Sequence, residues 1–410
     1  MPNSKKNLLF LPGPVTVAEP VLAAMSRPLI DHRGPAFAAL LERIDRAMRP
    51  VFGTAQRVLV LGASGTGGLE ASLVSLFSPG DKLLACPLGA FGRRYIAIAR
   101  TYGCEVEILE TQAGHAPDLH VLRERLRADT KKEISGILLT HNETSTGVQM
   151  EMRAVSEAIG DHGAITLVDS VSGMGGDEFT MDAWRFDAVV TASQKVFSAP
   201  PGVAMVALSA RAIERLKQAK TPAFYFSLAK AIEFAEIGQT PWTPPISVLY
   251  ALDVALARYH AEGPQSVWRR HASYARAIRA AVGALGLEIF SAPGAHSNTV
   301  VAVKASPGMD VARLLKQLRE ERGVCLSGGQ LELKGKIFRI GTMGDISQTD
   351  VLGMLGALEI ALLEQDLPVH LGRGVQAALR VFLEIQDGAK PGGAQTTAAR
   401  TVAQTTEARS

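Results

Sequence analysis

Cysteine is scarce in this 410-residue chain: only Cys86, Cys104 and Cys325 occur, an odd number without CxxC spacing. That excludes a disulfide framework and predicts a reducing, cytoplasmic setting. Charge of one sign is lacking as well, since 43 Lys+Arg against 40 Asp+Glu leave a net charge of +3. Such a balance offers no electrostatic draw toward nucleic acid or an anionic membrane, so neither partner is expected. No apolar run approaches the length that spans a bilayer, and Pro12 and Pro14 cut the first short one far below a signal peptide. The nine histidines are scattered, without HExxH or paired spacing, and no metal centre is expected. There is likewise no Gly-x-Ser-x-Gly elbow, no Walker A and no GxGxxG dinucleotide fingerprint.

What is present is ample core material, with 47% hydrophobic residues in a chain longer than one core usually serves. A large domain with a smaller companion is therefore expected. From Arg57 to Ser209, β-rich runs such as "RVLVLG", "ISGILLTH", "AITLVDS" and "DAVVTAS" alternate with amphipathic stretches such as "GGLEASLVSLF" and "MRAVSEAIGDHG". This is the pattern of an α/β domain, a parallel sheet with helices on both faces. Thr221 to Pro245, holding "TPWTPP", reads as a long irregular surface segment. The long helical pattern "SVLYALDVALARYHAEG" follows it. Residues 264–386 alternate strand and helix again on a smaller scale, so we expect a large domain over 21–263 and a smaller one over 264–386. Residues 387–410 lack apolar periodicity and are expected to be a disordered tail.

Three features could carry chemistry. Ser64-Gly65-Thr66-Gly67-Gly68 lies between a strand and an amphipathic helix, where backbone amides and a helix N-terminus suit a phosphate; a plain glycine-rich connection explains it equally well. Asp169 ends the strand "AITLVD" at the sheet edge where ligands usually bind, and capping the next segment is its ordinary alternative. Lys195 in "TASQKVFSAPPG" closes the next strand and, by itself, reads as a solvated strand-end charge. Taken in that order, the three meet the needs of pyridoxal 5'-phosphate: a cup for its phosphate, an acid for its ring nitrogen and an amine for a Schiff base.

The blocks "HNETSTGV", "LVDSVSGMGG", "TASQKVFSAPPG" and "GKIFRIGTMGD" resemble the signatures of class V, fold-type I aminotransferases, in the alanine/serine–glyoxylate branch. The resemblance runs from Phe10 to about Val381 and implies a mostly parallel seven-stranded sheet in the large domain. It assigns Lys195 to the Schiff base and Asp169 to the pyridine nitrogen. Ser64, Gly65, Thr66 and Gln194 correspond to phosphate contacts, Thr144 to the neighbour of the phenolic oxygen and Val171 to the apolar contact under the ring. Phe91 matches the ring stacked on the cofactor. Arg339 matches the carboxylate anchor for the substrate. Gly13 matches an N-terminal arm, here residues 1–20, that lines the substrate pocket, and His32 and Arg33 fall in a nearby block. Thr240 and Thr243 match a segment that reaches the phosphate of the neighbouring subunit, which implies a homodimer with shared sites. The implied activity is transfer of an amino group from a small amino acid, serine or alanine first, to glyoxylate or pyruvate. Relatives with the same cofactor blocks use aspartate, ureidoglycine or pyridoxamine. A cysteine desulfurase on the same fold is a further alternative, with Cys325 as its nucleophile; Gln194 speaks against it, because desulfurases resemble one another in having His before the lysine.

Overall fold

The computed structural model describes residues 7–388 and places seven strands in one sheet: β1 (Val58–Leu61), β2 (Lys82–Ala85), β3 (Glu105–Ile108), β4 (Ile134–Thr140), β5 (Ile165–Asp169), β6 (Ala188–Ala192) and β7 (Ala204–Leu208). Their spatial order is β1-β7-β6-β5-β4-β2-β3. β7 is antiparallel to both its neighbours and the other pairings are parallel. Since β7 reverses between β1 and β6, those two strands point the same way. The C-terminal ends of β1, β2, β4, β5 and β6 therefore share one sheet edge.

Every residue of β5, β6 and β7 is buried, as expected of strands covered on both faces. Alternate side chains feed two apolar clusters: Val168, Val189 and Met205 enter one, Leu167, Val190 and Val206 the other. Helices α1 (Pro35–Phe52), α2 (Gly65–Leu76), α3 (Ala90–Thr101) and α4 (Ile246–Glu262) supply the covering layers. α1 and α4 pack on the first cluster, α2 and α3 on the second.

A third cluster gathers α5 (Pro264–Ala284), β8 (Val300–Lys304), α6 (Val311–Arg322), β9 (Ser327–Gly328), β10 (Ile337–Gly341), α7 (Gln348–Leu363) and α8 (Arg373–Gly388) around an antiparallel sheet of order β8-β10-β9. The N-terminal arm joins both bodies. Leu8–Leu9 pairs in parallel with Val324–Cys325, and Phe10 is buried in the third cluster, whereas Val15 is buried in the first.

One expectation is corrected. The segment from Thr221 to Pro245 is not irregular throughout, because a helix spans Leu228–Glu236. Ser227 caps it, its hydroxyl accepting from Lys230 N at 3.3 Å, and fully buried Leu228 anchors it against the sheet. Among the described residues no helix is long and apolar enough to cross a membrane. Of the tail expected over 387–410, Asp387 and Gly388 belong to α8, and the rest lies outside the described residues.

Candidate active site

The shared sheet edge assembles the site. β1 ends at Leu61 and runs through Gly62 and Ala63 into the cap of α2, where Ser64 adopts extended backbone and its hydroxyl accepts from Gly67 N at 3.4 Å. Gly65 opens the helix against the next strands, since a Cβ there would lie 2.6 Å from Val171 Cγ2 and 3.5 Å from Ala192 Cβ. Val171 follows Asp169 on the β5 edge, so cup, aspartate and apolar contact converge within one side-chain length. Thr66 Oγ1 accepts from Arg94 Nη1 at 3.1 Å, and that guanidinium sits 4.5 Å over the ring of half-buried Phe91.

Asp169 is 3% exposed and Lys195 is 8% exposed. One Asp169 oxygen accepts from Val171 N at 3.0 Å, and among the described residues the other receives no hydrogen bond. Burial raises this carboxyl to about 6, the Val171 amide lowers it, nearby Glu143 adds to the rise, and Lys195 and Arg94 oppose it. Burial lowers the Lys195 amine to about 8, Asp169 holds it up, and Arg339 and Arg94 push it down. The Lys195 amine donates to the Pro12 carbonyl at 2.5 Å. The N-terminal arm thus lies across the lysine, and Gly13 is where it must be glycine. Its φ is +119°, and a Cβ there would fall 2.6 Å from the lysine nitrogen.

Arg339 comes from β10 in the other body and is 5% exposed. Nε and Nη2 donate to the Gly328 carbonyl at 2.9 and 2.7 Å, and Nη1 donates to the Thr144 carbonyl at 2.9 Å. Of five N–H groups, this leaves one on each terminal nitrogen, the number that a bidentate carboxylate takes. Burial lowers the guanidinium to about 10, and Glu143 holds it up. Thr144 is buried and its hydroxyl donates to Ser172 Oγ at 2.8 Å. Gln194 Oε1 is buried without a hydrogen-bond partner among the described residues.

These residues fit pyridoxal phosphate. A glycine cradle and a helix N-terminus can take its phosphate, an unpaired carboxylate oxygen its ring nitrogen, and a buried amine of depressed pKa its aldehyde. Thr240 and Thr243 stand somewhat apart. They line a cleft with Gly62 and Tyr225; Thr240 is buried with its hydroxyl donating to Trp242 O at 2.8 Å, and Thr243 is exposed. Arg33 anchors this segment through Gln239 Oε1 and Thr240 O, both at 2.8 Å, and Pro241 O at 3.3 Å, while His32 is half-buried beside it in sequence.

Glu143, Pro12 and Arg94 were missed by reading the sequence for site residues. Glu143 gave the one available signal, an acid inside the quoted block "HNETSTG"; Pro12 acts through its backbone and Arg94 through a helical turn, and neither leaves a pattern. Cys325 is poorly placed for the desulfurase alternative: it is buried in the short strand paired with Leu9, and burial pushes its thiol up against the opposing pull of Arg319. Among the described residues no group of three His, Cys, Asp or Glu is placed to hold a metal ion.

A strand-edge lysine and aspartate beside a glycine-rich helix N-terminus have the arrangement of a fold-type I enzyme. Residues 22–334 match the family "Aminotransferase class-V", to which the chain belongs, and it is a pyridoxal-phosphate-dependent aminotransferase. Similar proteins include the soluble hydrogenase 42 kDa subunit of Anabaena cylindrica, 36% identical over 92% of this chain and 99% of that one. The L-aspartate–glyoxylate aminotransferase of Paracoccus denitrificans is 36% identical over 92% and 96%. The serine–glyoxylate aminotransferase of Methylorubrum extorquens is 34% identical over 91% and 95%. Among solved structures, pyridoxamine-pyruvate aminotransferase from Mesorhizobium loti superposes with a TM-score of 0.88 at 30% identity, covering 94% of this chain and 99% of that one.

Proposed function

We propose that this aminotransferase moves an amino group from a small amino acid, serine or alanine, to glyoxylate or pyruvate. The observation that carries the reading is the buried convergence of Lys195 and Asp169 from the sheet edge with the two free N–H groups of Arg339 from the other body. When bound, pyridoxal phosphate supplies a carbonyl that takes the amino group and a ring that accepts the electron pair left when the substrate's Cα–H bond ionises. Arg339 binds the α-carboxylate and fixes Cα. Lys195 Nζ, with its pKa near 8, is neutral in a working fraction of molecules at mild alkaline pH and takes the Cα proton. Asp169, Thr144, Val171, Phe91, Gln194 and the Ser64–Thr66 turn would hold the cofactor, and Gly13 leaves room for the lysine beside the arm.

Thr240 and Thr243 support a homodimer with shared sites. Their segment is flanked by the exposed rings of Phe224, 70% exposed, and Tyr225, 49% exposed, stacked with Trp242. Exposed aromatic clusters of this kind are covered by partners in working assemblies. The division into bodies at residues 263 and 264, with the arm over 1–20, is part of the same proposal, as is a cytoplasmic location, supported by three buried free cysteines. Aspartate is the second donor to consider, because the relative from Paracoccus denitrificans is named for it.

Lys195→Ala tests the assignment. The variant should keep its far-UV circular dichroism and lose both turnover and the visible absorbance gained with pyridoxal phosphate; substantial remaining turnover would sink it. A panel of serine, alanine, aspartate and pyridoxamine against glyoxylate and pyruvate then ranks the substrates.

A further inference from the structure

Glu143 is fully buried and carries no role assigned above; it meets Phe91 through the backbone amide alone. Its carboxylate accepts from Phe91 N at 3.1 Å and Gly92 N at 3.0 Å through one oxygen, and from Ser145 N at 2.9 Å and Ser145 Oγ at 2.6 Å through the other. Ser145 Oγ in turn accepts from Ala90 N at 2.9 Å. The first three amides of α3 are therefore satisfied from outside the helix, by a loop seated on the adjoining strand edge. α3's own N-cap position, Gly89, makes no side-chain hydrogen bond. It cannot hold a larger residue either, because a Cβ there would collide with Ser145 Oγ and lie 2.9 Å from Glu143 Cδ.

The first turn of α3 carries Phe91, and Arg94 follows, stacked on the Phe91 ring and bonded to Thr66. Thr144, between the two capping residues, gives its carbonyl to Arg339 and its hydroxyl to Ser172. The tripeptide Glu143–Ser145 thus grips the cofactor-facing end of α3 on one side and the substrate anchor on the other. Glu143 spends its oxygens on N–H and O–H donors and Arg339 spends three donors on carbonyls, so the two buried charges balance without consuming each other. Glu143 thereby offsets the Arg339 charge and leaves its free N–H groups open to a carboxylate.

We propose that Glu143 is a positioning residue for the active site: by capping α3 from outside the helix it holds Phe91 and Arg94 against the cofactor and its phosphate cup. This rests on the reading of Phe91 and the Ser64–Thr66 turn as cofactor contacts. In Glu143→Gln the side chain keeps its shape, but its amide nitrogen must face one of the two donor pairs, so that pair loses its acceptor. Losing one such contact should weaken pyridoxal phosphate binding by about tenfold, read by titrating cofactor into resolved enzyme, and diminish the visible circular dichroism of bound cofactor. Ser145→Ala, which keeps the Glu143 charge and its bonds to Phe91 N and Gly92 N but removes the hydroxyl between Ala90 N and Glu143, should weaken binding by about threefold. Combined with Phe91→Leu, Glu143→Gln should add little further loss, because Arg94 is itself stacked on the Phe91 ring and loses its support with it. If Glu143→Gln binds cofactor with unchanged affinity and visible dichroism while only its melting temperature falls, Glu143 is structural and the inference is overturned. Should Phe91→Leu leave binding and dichroism untouched while Glu143→Gln alters both, the reading of Phe91 fails instead.

Discussion

Asp169 and Lys195 titrate toward each other because the same burial acts on opposite charge types: it raises the acid to about 6 and lowers the base to about 8. For a carboxyl raised above its ordinary value, the favourable contribution is complete below about pH 4 and is lost as pH rises through 6; above that, the buried charge costs up to about 3 kcal/mol. Asp169→Asn removes that charge and keeps the oxygen facing Val171 N. With cofactor removed by dialysis, the variant should therefore melt above wild type at pH 8, with the gap closing by pH 4. Its kcat should nonetheless fall by about a hundredfold or more if Asp169 is, as proposed, the partner of the cofactor's ring nitrogen. A variant that melts below wild type at pH 8 would show that the Asp169 charge is a net stabiliser. Lysine, aspartate and arginine were legible in the sequence because each ends a strand or sits in a quoted block. The Pro12 carbonyl over Lys195 was not, because any residue supplies a carbonyl and only tertiary approach selects this one.

Two helix caps show how the same local chemistry serves different ends. Ser347 opens α7 with a complete capping box, accepting from Asp350 N at 3.2 Å while the Asp350 carboxylate accepts from Ser347 N at 2.8 Å. Ser64 opens α2 with a long bond of 3.4 Å, so its hydroxyl contributes little to the helix and stays available to a phosphate. Ser347→Ala should cost about 1 kcal/mol of stability and leave cofactor affinity and turnover unchanged. Ser64→Ala should do the reverse, moving the denaturation midpoint by only a few tenths of a kcal/mol while weakening pyridoxal phosphate binding about tenfold. Chemical denaturation and cofactor titration of both variants decide it: equal losses of stability would refute the division of labour. Elements with long apolar runs between turn signals, such as β4 to β6, and the long apolar-rich α4 were readable from the sequence alone. The helix Leu228–Glu236 was not, because the prolines around it dominate the local signal and its stability comes from Leu228 packing beneath it. The reversed direction of β7 was equally silent, since a buried apolar run reads the same either way.

At the scale of the whole molecule, the segment from Gln239 to Pro245 decides whether one chain is sufficient. Arg33 pins it at the Thr240 and Pro241 carbonyls and at Gln239 Oε1, while Thr243, Phe224 and Tyr225 are exposed beside half-buried Trp242. Pinned backbone beneath exposed aromatic side chains suits the second-copy contact proposed above. If two copies exchange this segment, each site takes its lysine from one subunit and its threonines from the other. A Lys195→Ala chain and a Thr240→Val/Thr243→Val chain, each impaired as a homodimer, then complement in a heterodimer: one site carries every lesion and the other carries none. Random exchange at equal amounts makes about half the dimers mixed, so activity should return to about a quarter of the wild-type level. Sedimentation before and after mixing establishes that the chains exchange. Exchange without recovery of activity would place both threonines in their own subunit's site, and the sites would be self-contained.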